Sequence, residues 1–228
     1  MVERVQTYIE RFDHELGGGI PKGHVVLVSG TPGTMKTSLV FSVLYNNAKH
    51  NGKRGLYITL EEGIDNIRDA MIGLGFEDLD EVEVFMVDVG KIRLENKDME
   101  VEKDWLKVLY RYIEQRVNVN KFDMVALDSL GALYSLVELK NPRREMFHFI
   151  GSVKKLGATF FILTEVMRGT EELAPHQEDF VADGIIHLKR HSVGESDSQL
   201  RIDIVKMRKN QHKHGWLALM PKKGGFMV

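Results

Sequence analysis

The sequence predicts a three-layer α/β fold, a mostly parallel central sheet with an antiparallel extension at one edge. Three observations carry this expectation. Apolar runs of four to eight residues alternate with amphipathic stretches, the pattern of strands joined by right-handed helical crossovers. Runs such as Val25-Val26-Leu27-Val28 and Phe160-Phe161-Ile162-Leu163 are apolar without alternation, as strands covered on both faces require. The C-terminal part of the chain carries strand patterns with no helical period between them.

Taken in order, His24–Ser29 reads as a buried strand and Thr37–His50 as the helix after it. Gly55–Leu60 is a second strand. Ile64, Ile67, Met71 and Leu74 then fall on one helical face, with Asp65 in the first turn. Val82–Val89 reads as a strand and Val101–Val117 as a long helix. Met124–Ser129, Pro142–Leu156 and Ala158–Val166 give strand, helix, strand. Gly184–His191, Leu200–Met207 and Gly215–Met220 are the strands of the antiparallel extension.

The 228 residues are expected to form one domain, 1–228, with no linker dividing them. A chain of this size buries about 70–75% of its unfolded surface, so it needs no covalent staple. It has no cysteine, which excludes thiol catalysis, zinc-thiolate and iron–sulfur sites and disulfides. No apolar run approaches the roughly 20 residues of a membrane helix, and Met1-Val2-Glu3-Arg4-Val5-Gln6 is too polar for a signal peptide. A soluble, cytoplasmic protein is expected. The net charge of −2 gives no overall basic footprint for nucleic acid. The charge is unevenly spread, however: residues 61–104 carry 15 acidic and 5 basic side chains, whereas from residue 204 onward there are six Lys/Arg and no acid.

Ser29-Gly30-Thr31-Pro32-Gly33-Thr34-Met35-Lys36-Thr37-Ser38 lies between the first strand and the first helix, where the phosphate-binding pattern G-x-x-x-x-G-K-[ST] belongs. Gly30 permits a sharp exit from the strand, and Gly33 permits backbone angles that turn successive N–H groups inward. Those amides and the helix N-terminus form an anion cradle for the phosphates of ATP or ADP. Lys36 reaches the β- and γ-phosphates, and the Thr37 hydroxyl ligates Mg2+. Met35 stands where the pattern has glycine, so its side chain must point away from the phosphates; outward packing against the helix is expected, with only the ~1 kcal/mol helix-interior cost for a glycine there.

Asp128 ends the apolar strand Met124-Val125-Ala126-Leu127, at the strand edge where open α/β sheets bind ligands, and reads as the acid that holds magnesium through water. Glu61 and Glu62 close the strand Gly55–Leu60; a carboxylate there can orient water and accept its proton. Both are candidates, with Glu61 placed first, although charge at the start of the next helix would serve equally. In Lys206-Met207-Arg208 the two cations project to one face of a strand, with Asn210, His212 and His214 following. Two cations on one strand face suit edge protection, or an arginine finger reaching a neighbouring subunit's nucleotide.

Together these residues resemble the KaiC-like branch of the RecA superfamily of ATPases, over nearly the whole chain. The similar segments are Phe12-Asp13-His14-Glu15-Leu16-Gly17-Gly18-Gly19-Ile20-Pro21-Lys22-Gly23 before the phosphate loop, Tyr57-Ile58-Thr59-Leu60-Glu61-Glu62, Leu127-Asp128-Ser129, Phe180-Val181-Ala182-Asp183-Gly184-Ile185-Ile186, and Lys206-Met207-Arg208. The resemblance implies a RecA-like P-loop fold, ATPase activity with paired catalytic glutamates at Glu61 and Glu62, and a homo-oligomer, usually a hexameric ring, with ATP between subunits. It also implies that Lys206, Arg208, Asn210 and His212 contact the nucleotide of the adjacent protomer. The departures are Met35 and Lys209-Asn210-Gln211, where many members have Gly-Thr plus one residue. One copy of the domain carries no expectation of clock function or autophosphorylation.

Three functions compete: an oligomeric ATPase regulator with an unidentified protein partner, a RadA/RecA-related DNA-binding protein, and a non-hydrolysing ATP-binding scaffold. DNA-binding loops would fall near Gly131–Arg144 and Val166–Asp183. The first offers Lys140, Arg143 and Arg144; the second holds Glu171, Glu172, Glu178, Asp179 and Asp183 against Arg168, which repels a phosphate backbone. The ATPase reading leads.

Overall fold

The computed structural model describes residues 3–91, 105–137, 139–167, 169–170, 172–194 and 196–228. Residues 92–104, which hold part of the acidic stretch and the first turn expected of the helix from Val101, lie outside the described residues, as do Met1, Val2, Arg168 and Glu171.

In chain order the elements are β1 (Arg4–Val5), α1 (Phe12–Glu15), β2 (Ile20–Pro21), β3 (Val25–Gly30), α2 (Lys36–Asn51), β4 (Gly55–Thr59), α3 (Ile64–Gly73) and β5 (Val84–Asp88). There follow α4 (Trp105–Asn120), β6 (Met124–Asp128), α5 (Leu130–Leu136), α6 (Pro142–Lys154), β7 (Thr159–Glu165) and α7 (Glu178–Val181). The chain closes with β8 (Gly184–Val193), β9 (Asp197–Met207), β10 (Leu217–Ala218), β11 (Met220–Lys222) and β12 (Gly225–Met227).

Eight strands form the main sheet in the order β10-β9-β8-β3-β7-β6-β4-β5. From β8 to β5 every pair is parallel, and β9 and β10 pair antiparallel at the other edge. Alternate residues of the central strands feed two apolar layers. Val26, Val28, Tyr57, Ala126, Phe161 and Leu163 pack with α2 and α3, while Val25, Leu27, Ile58, Val125, Leu127 and Ile162 pack with α4, α5 and α6. Both faces are therefore buried, which is why these strands are apolar without alternation. β9 is covered on one face only, and Leu200, Ile202 and Ile204 alternate with less buried residues.

α2 buries Leu39, Val40, Phe41, Val43, Leu44 and Tyr45 and stops at Gly52, whose φ of 59° ends the helix in the left-handed region. α6 begins at Pro142, with the Asn141 side chain accepting from the Arg144 N–H at 3.1 Å.

Several short elements have no counterpart in the periodicity reading: β1, β2, α1, α5, α7 and β12 are each seven residues or fewer. The strand expected at Gly215–Met220 is divided. Leu217–Ala218 pairs with β9, after which the chain leaves the sheet for a hairpin of β11 and β12 that seats Phe226 in the core beside α2. β4 stops at Thr59, so Glu61 and Glu62 lie in the bend after the strand rather than on its pleat.

Candidate active site at the C-terminal edge of the sheet

The strand order sets the ends of β3, β7, β6 and β4 side by side along one edge. The loop from Gly30 to Met35 leaves β3 here and enters α2. Gly30 is required for a different reason from the one the pattern suggests. A Cβ on it would meet the Leu188 carbonyl oxygen at 2.5 Å and Thr34 Oγ1 at 2.8 Å, so only glycine allows β3 to close on β8. Gly33 has a φ of 78° with nothing within 4 Å of where a Cβ would sit, as an open cradle needs. The Thr34 hydroxyl donates to the Thr31 carbonyl at 2.7 Å, pinning the loop on itself.

Met35 is the residue just before α2, with a φ of 63° and no side-chain cap on the helix amides. Its side chain packs, partly buried, against the core cluster on the α2 face. The pattern's glycine thus marks a left-handed backbone, which methionine occupies at a cost of roughly 1–2 kcal/mol. The helix-interior glycine cost expected for this position does not apply, because Met35 lies outside the helix. The uncapped N-terminus of α2 leaves its first N–H groups available to an anion. Pro32 and Gly33 are exposed, and Thr31, Thr37 and Ser38 are half-buried around them.

Lys36 is buried, and its ammonium donates to the carbonyls of Gly30 (3.0 Å) and Thr31 (3.2 Å) and lies 3.6 Å from Glu165. Burial lowers its pKa, while the charges of Glu165 and Asp128 act to raise it. The Thr37 hydroxyl donates to Asp128 Oδ2 at 2.7 Å, so the two magnesium-ligand candidates are already in contact. Burial raises the Asp128 carboxyl, against the hydroxyls of Tyr57 and Thr37 and the charge of Lys36. Glu61 and Glu62 are both exposed, and Thr59 Oγ1 donates to the Glu62 carbonyl at 2.6 Å. The Glu62 carboxyl is raised, first by partial burial and then by the negative charges of Asp128 and Glu61. Its side chain is therefore close enough to Asp128 to feel it.

Two residues of this site escaped sequence reasoning. Glu165 ends β7 directly beside Gly30 in the register; a carboxylate closing an apolar strand was the signal used for Asp128, and Phe160-Phe161-Ile162-Leu163-Thr164-Glu165 carries it too. Tyr57 donates its hydroxyl to Asp128 Oδ2 at 2.5 Å, and nothing in its strand pattern distinguished it from a core aromatic.

Lys206, Arg208, Asn210 and His212 lie elsewhere. Arg208 N donates to the Asp183 carbonyl, and Asp183 N donates to Val25 O at the start of β3. Val25 to Gly30 is five residue steps along the strand, about 16 Å, so these cations are remote from their own phosphate loop. Lys206 Nζ donates to the carbonyls of Asp179 (2.8 Å) and Ala182 (2.7 Å), at the end of α7. Arg208 donates to the Phe180 carbonyl at 3.1 Å and pairs with buried Asp183 at 3.4 Å, yet its side chain stays 48% exposed. Asn210 holds the carbonyls of Leu16 and Gly19. The His212 and His214 rings lie 4.7 Å apart. β9 ends at Met207, so Arg208 lies in the turn after the strand and not on its pleat as expected. A register shift between Ile185 and Ile186, which pair with Lys206 and Ile204, leaves Val205 as the extra residue and takes Lys206 out of the alternation of Leu200, Ile202 and Ile204.

The proposed DNA loops are altered by the structure. Much of Gly131–Arg144 is helical, in α5 and the start of α6. Glu178 and Asp183 are buried, bonded to Tyr134 and the His176 N–H and to Lys154 and Arg208 respectively, so neither projects a repelling charge.

No group of three or more His, Asp or Glu side chains suited to a metal gathers among the described residues. A hydroxyl and one carboxylate, both hard oxygen donors, fit Mg2+ that arrives with phosphate oxygens. Among the described residues no helix is long and apolar enough to cross a membrane.

A family model described as ATPase: KaiC matches residues 5–226. The chain is 31% identical over 220 residues to the circadian clock oscillator protein KaiC of Rippkaea orientalis, and 29% identical over 230 residues to the circadian clock protein KaiC3 of Synechocystis. These alignments take in 94% and 98% of the chain but only 42% and 45% of the relatives, so it spans less than half their length. The crystal structure of a KaiC-like protein from the archaeon Pyrococcus horikoshii superposes with a TM-score of 0.84 at 24% identity, covering 100% of this chain and 99% of that one. The fold is RecA-like, and the chain belongs to the KaiC ATPase family.

Proposed function

We propose that the chain binds Mg–ATP at the C-terminal edge of its sheet and hydrolyses it to ADP and phosphate. In this reading it works as a cytoplasmic homo-oligomer, a hexameric ring, that regulates a protein partner. The observation that carries the reading is the convergence of Lys36, Thr37 and Asp128 on one loop–helix junction. The loop amides and Lys36 hold the phosphates, Thr37 and Asp128 hold the magnesium ion, and the ion when bound neutralises charge on the phosphate oxygens. Glu62 orients the attacking water and takes its proton, in place of Glu61, which sequence alone places first; the Glu62 carboxyl, raised by partial burial and by Asp128, suits a base. Lys206 and Arg208 sit at the opposite edge of the sheet, by the start of β3, so they serve a neighbour's nucleotide and not their own. Asp183 and the α7 carbonyls hold them in place for that task.

The test is particle size with and without Mg–ATP, with phosphate release followed on the same samples. A larger assembly that releases phosphate supports the reading. Assembly without phosphate release makes the chain an ATP-binding scaffold, and release by a monomer removes the shared site.

A further inference from the structure

Resting on the reading of Asp128 and Thr37 as the residues that hold magnesium, one residue left without a role is Tyr57. It lies on β4 opposite Ala126, two residues short of the Thr59–Asp128 pair. Its side chain therefore runs diagonally along the sheet to the carboxylate on the next strand, a distance an aromatic ring can span. The ring is wholly buried and packs on Phe41 of α2 at 5.7 Å between centroids, so the hydroxyl has one fixed position. That hydroxyl and the Thr37 hydroxyl both donate to Oδ2, and among the described residues none is donated to Oδ1.

We infer that Tyr57 is a positioning residue for the metal site: its core-anchored hydroxyl clamps Oδ2 of Asp128 and leaves Oδ1 as the oxygen offered to the magnesium ion. The Thr37 hydroxyl can keep its hydrogen on Oδ2 while a lone pair ligates the ion, but its position then follows the ion, whereas the Tyr57 hydroxyl is fixed by the core. An unclamped carboxylate would have to give up its rotational freedom when the ion binds. Outer partners that orient metal-ligating carboxylates commonly contribute 10–100-fold to metal affinity. A tyrosine that only fills the core would contribute nothing to that affinity.

The experiment is Tyr57→Phe, which removes one oxygen and keeps the ring against Phe41. Affinity for a fluorescent ATP analogue is measured in EDTA, and Mg2+ is then titrated into the nucleotide complex. The expected result is unchanged metal-free nucleotide affinity with Mg2+ half-saturation weakened about 10–100-fold. In an Asp128→Asn background the same substitution should add nothing, since the tyrosine acts through that carboxylate. Unchanged Mg2+ half-saturation in Tyr57→Phe overturns the proposal while leaving the ATP site intact. Loss of metal-free nucleotide affinity also overturns it, because the hydroxyl would then be holding the fold. A wild-type chain that fails to bind the nucleotide refutes the ATP reading itself.

Discussion

At the C-terminal edge of the sheet, Lys36 pairs with Glu165, and beside them Thr37 and Tyr57 both bond Asp128. At the N-terminal ends of the neighbouring strands, Lys206 and Arg208 lean instead on main-chain carbonyls of residues 179–182 and on Asp183. The two ends hold charge in different ways. Lys36 is buried and held by Glu165 and by the Gly30 and Thr31 carbonyls of the phosphate loop itself, partners that a bound phosphate can take over. The second pair is braced by the chain's own backbone and keeps one cation half in solvent. The first arrangement suits a receptor for an anion, and the second a probe held out toward another molecule. A strand length of about 16 Å separates them, so one molecule cannot bring both to the same phosphate.

The largest expected effect tests that separation. Arg208→Ala and Lys36→Ala should each lose nearly all ATPase activity, with fingers of this kind contributing about 10³–10⁵ in rate. Co-assembled, some interfaces pair an intact loop with an intact finger, and activity should partly return. A mixture that assembles and stays inactive breaks the comparison, as does full activity of Arg208→Ala alone.

Next comes water activation. Glu62→Gln should keep ATP binding and lower hydrolysis by about 10²–10⁴. If Glu61→Gln carries that loss and Glu62→Gln does not, the neighbourhood of Asp128 is not what selects the base. Steady-state phosphate release on both variants decides it.

Asp183 sharpens the other end. Burial alone would raise its carboxyl, but the Lys154 ammonium, the Val25 N–H and the charges of Lys154 and His24 bring it below the usual value. A depressed carboxyl contributes stability that is fully present above its unfolded pKa of about 3.9 and is lost as pH falls through the folded value. Asp183→Asn should therefore cost about 1.5–3 kcal/mol near neutrality, with the gap closing below roughly pH 4. Denaturant unfolding of both proteins across pH measures this, and a gap that widens in acid contradicts it.

The smallest effect belongs to Met35. Glycine relieves the left-handed strain of roughly 1–2 kcal/mol and forfeits part of the ~1.5–3 kcal/mol of a buried methionine. Met35→Gly should shift stability by less than about 1 kcal/mol and ATP affinity by less than tenfold. A larger gain in affinity would show that the side chain crowds the phosphates.

Much of the fold was legible because apolar runs buried on both faces leave a clear mark, as Val25–Gly30 and Thr159–Glu165 do. The short elements were not, since α1, α5 and α7 hold too few turns to show a period. At the site, Lys36, Thr37 and Asp128 could be placed because motif spacing and strand ends fix them. Tyr57 could not, because its reach to Asp128 is diagonal across two strands that are far apart in sequence. The face that carries Lys206 was also hidden, since one extra residue at Val205 sets it and strand periodicity cannot foresee a bulge.

The most direct measurement is calorimetric titration of Mg–ATP into the wild-type chain and into Lys36→Ala, with circular dichroism on both. Saturable binding by the wild type and none by a folded Lys36→Ala is the predicted result. Equal affinity in the two proteins would show that ATP, if bound, is not held at this phosphate loop.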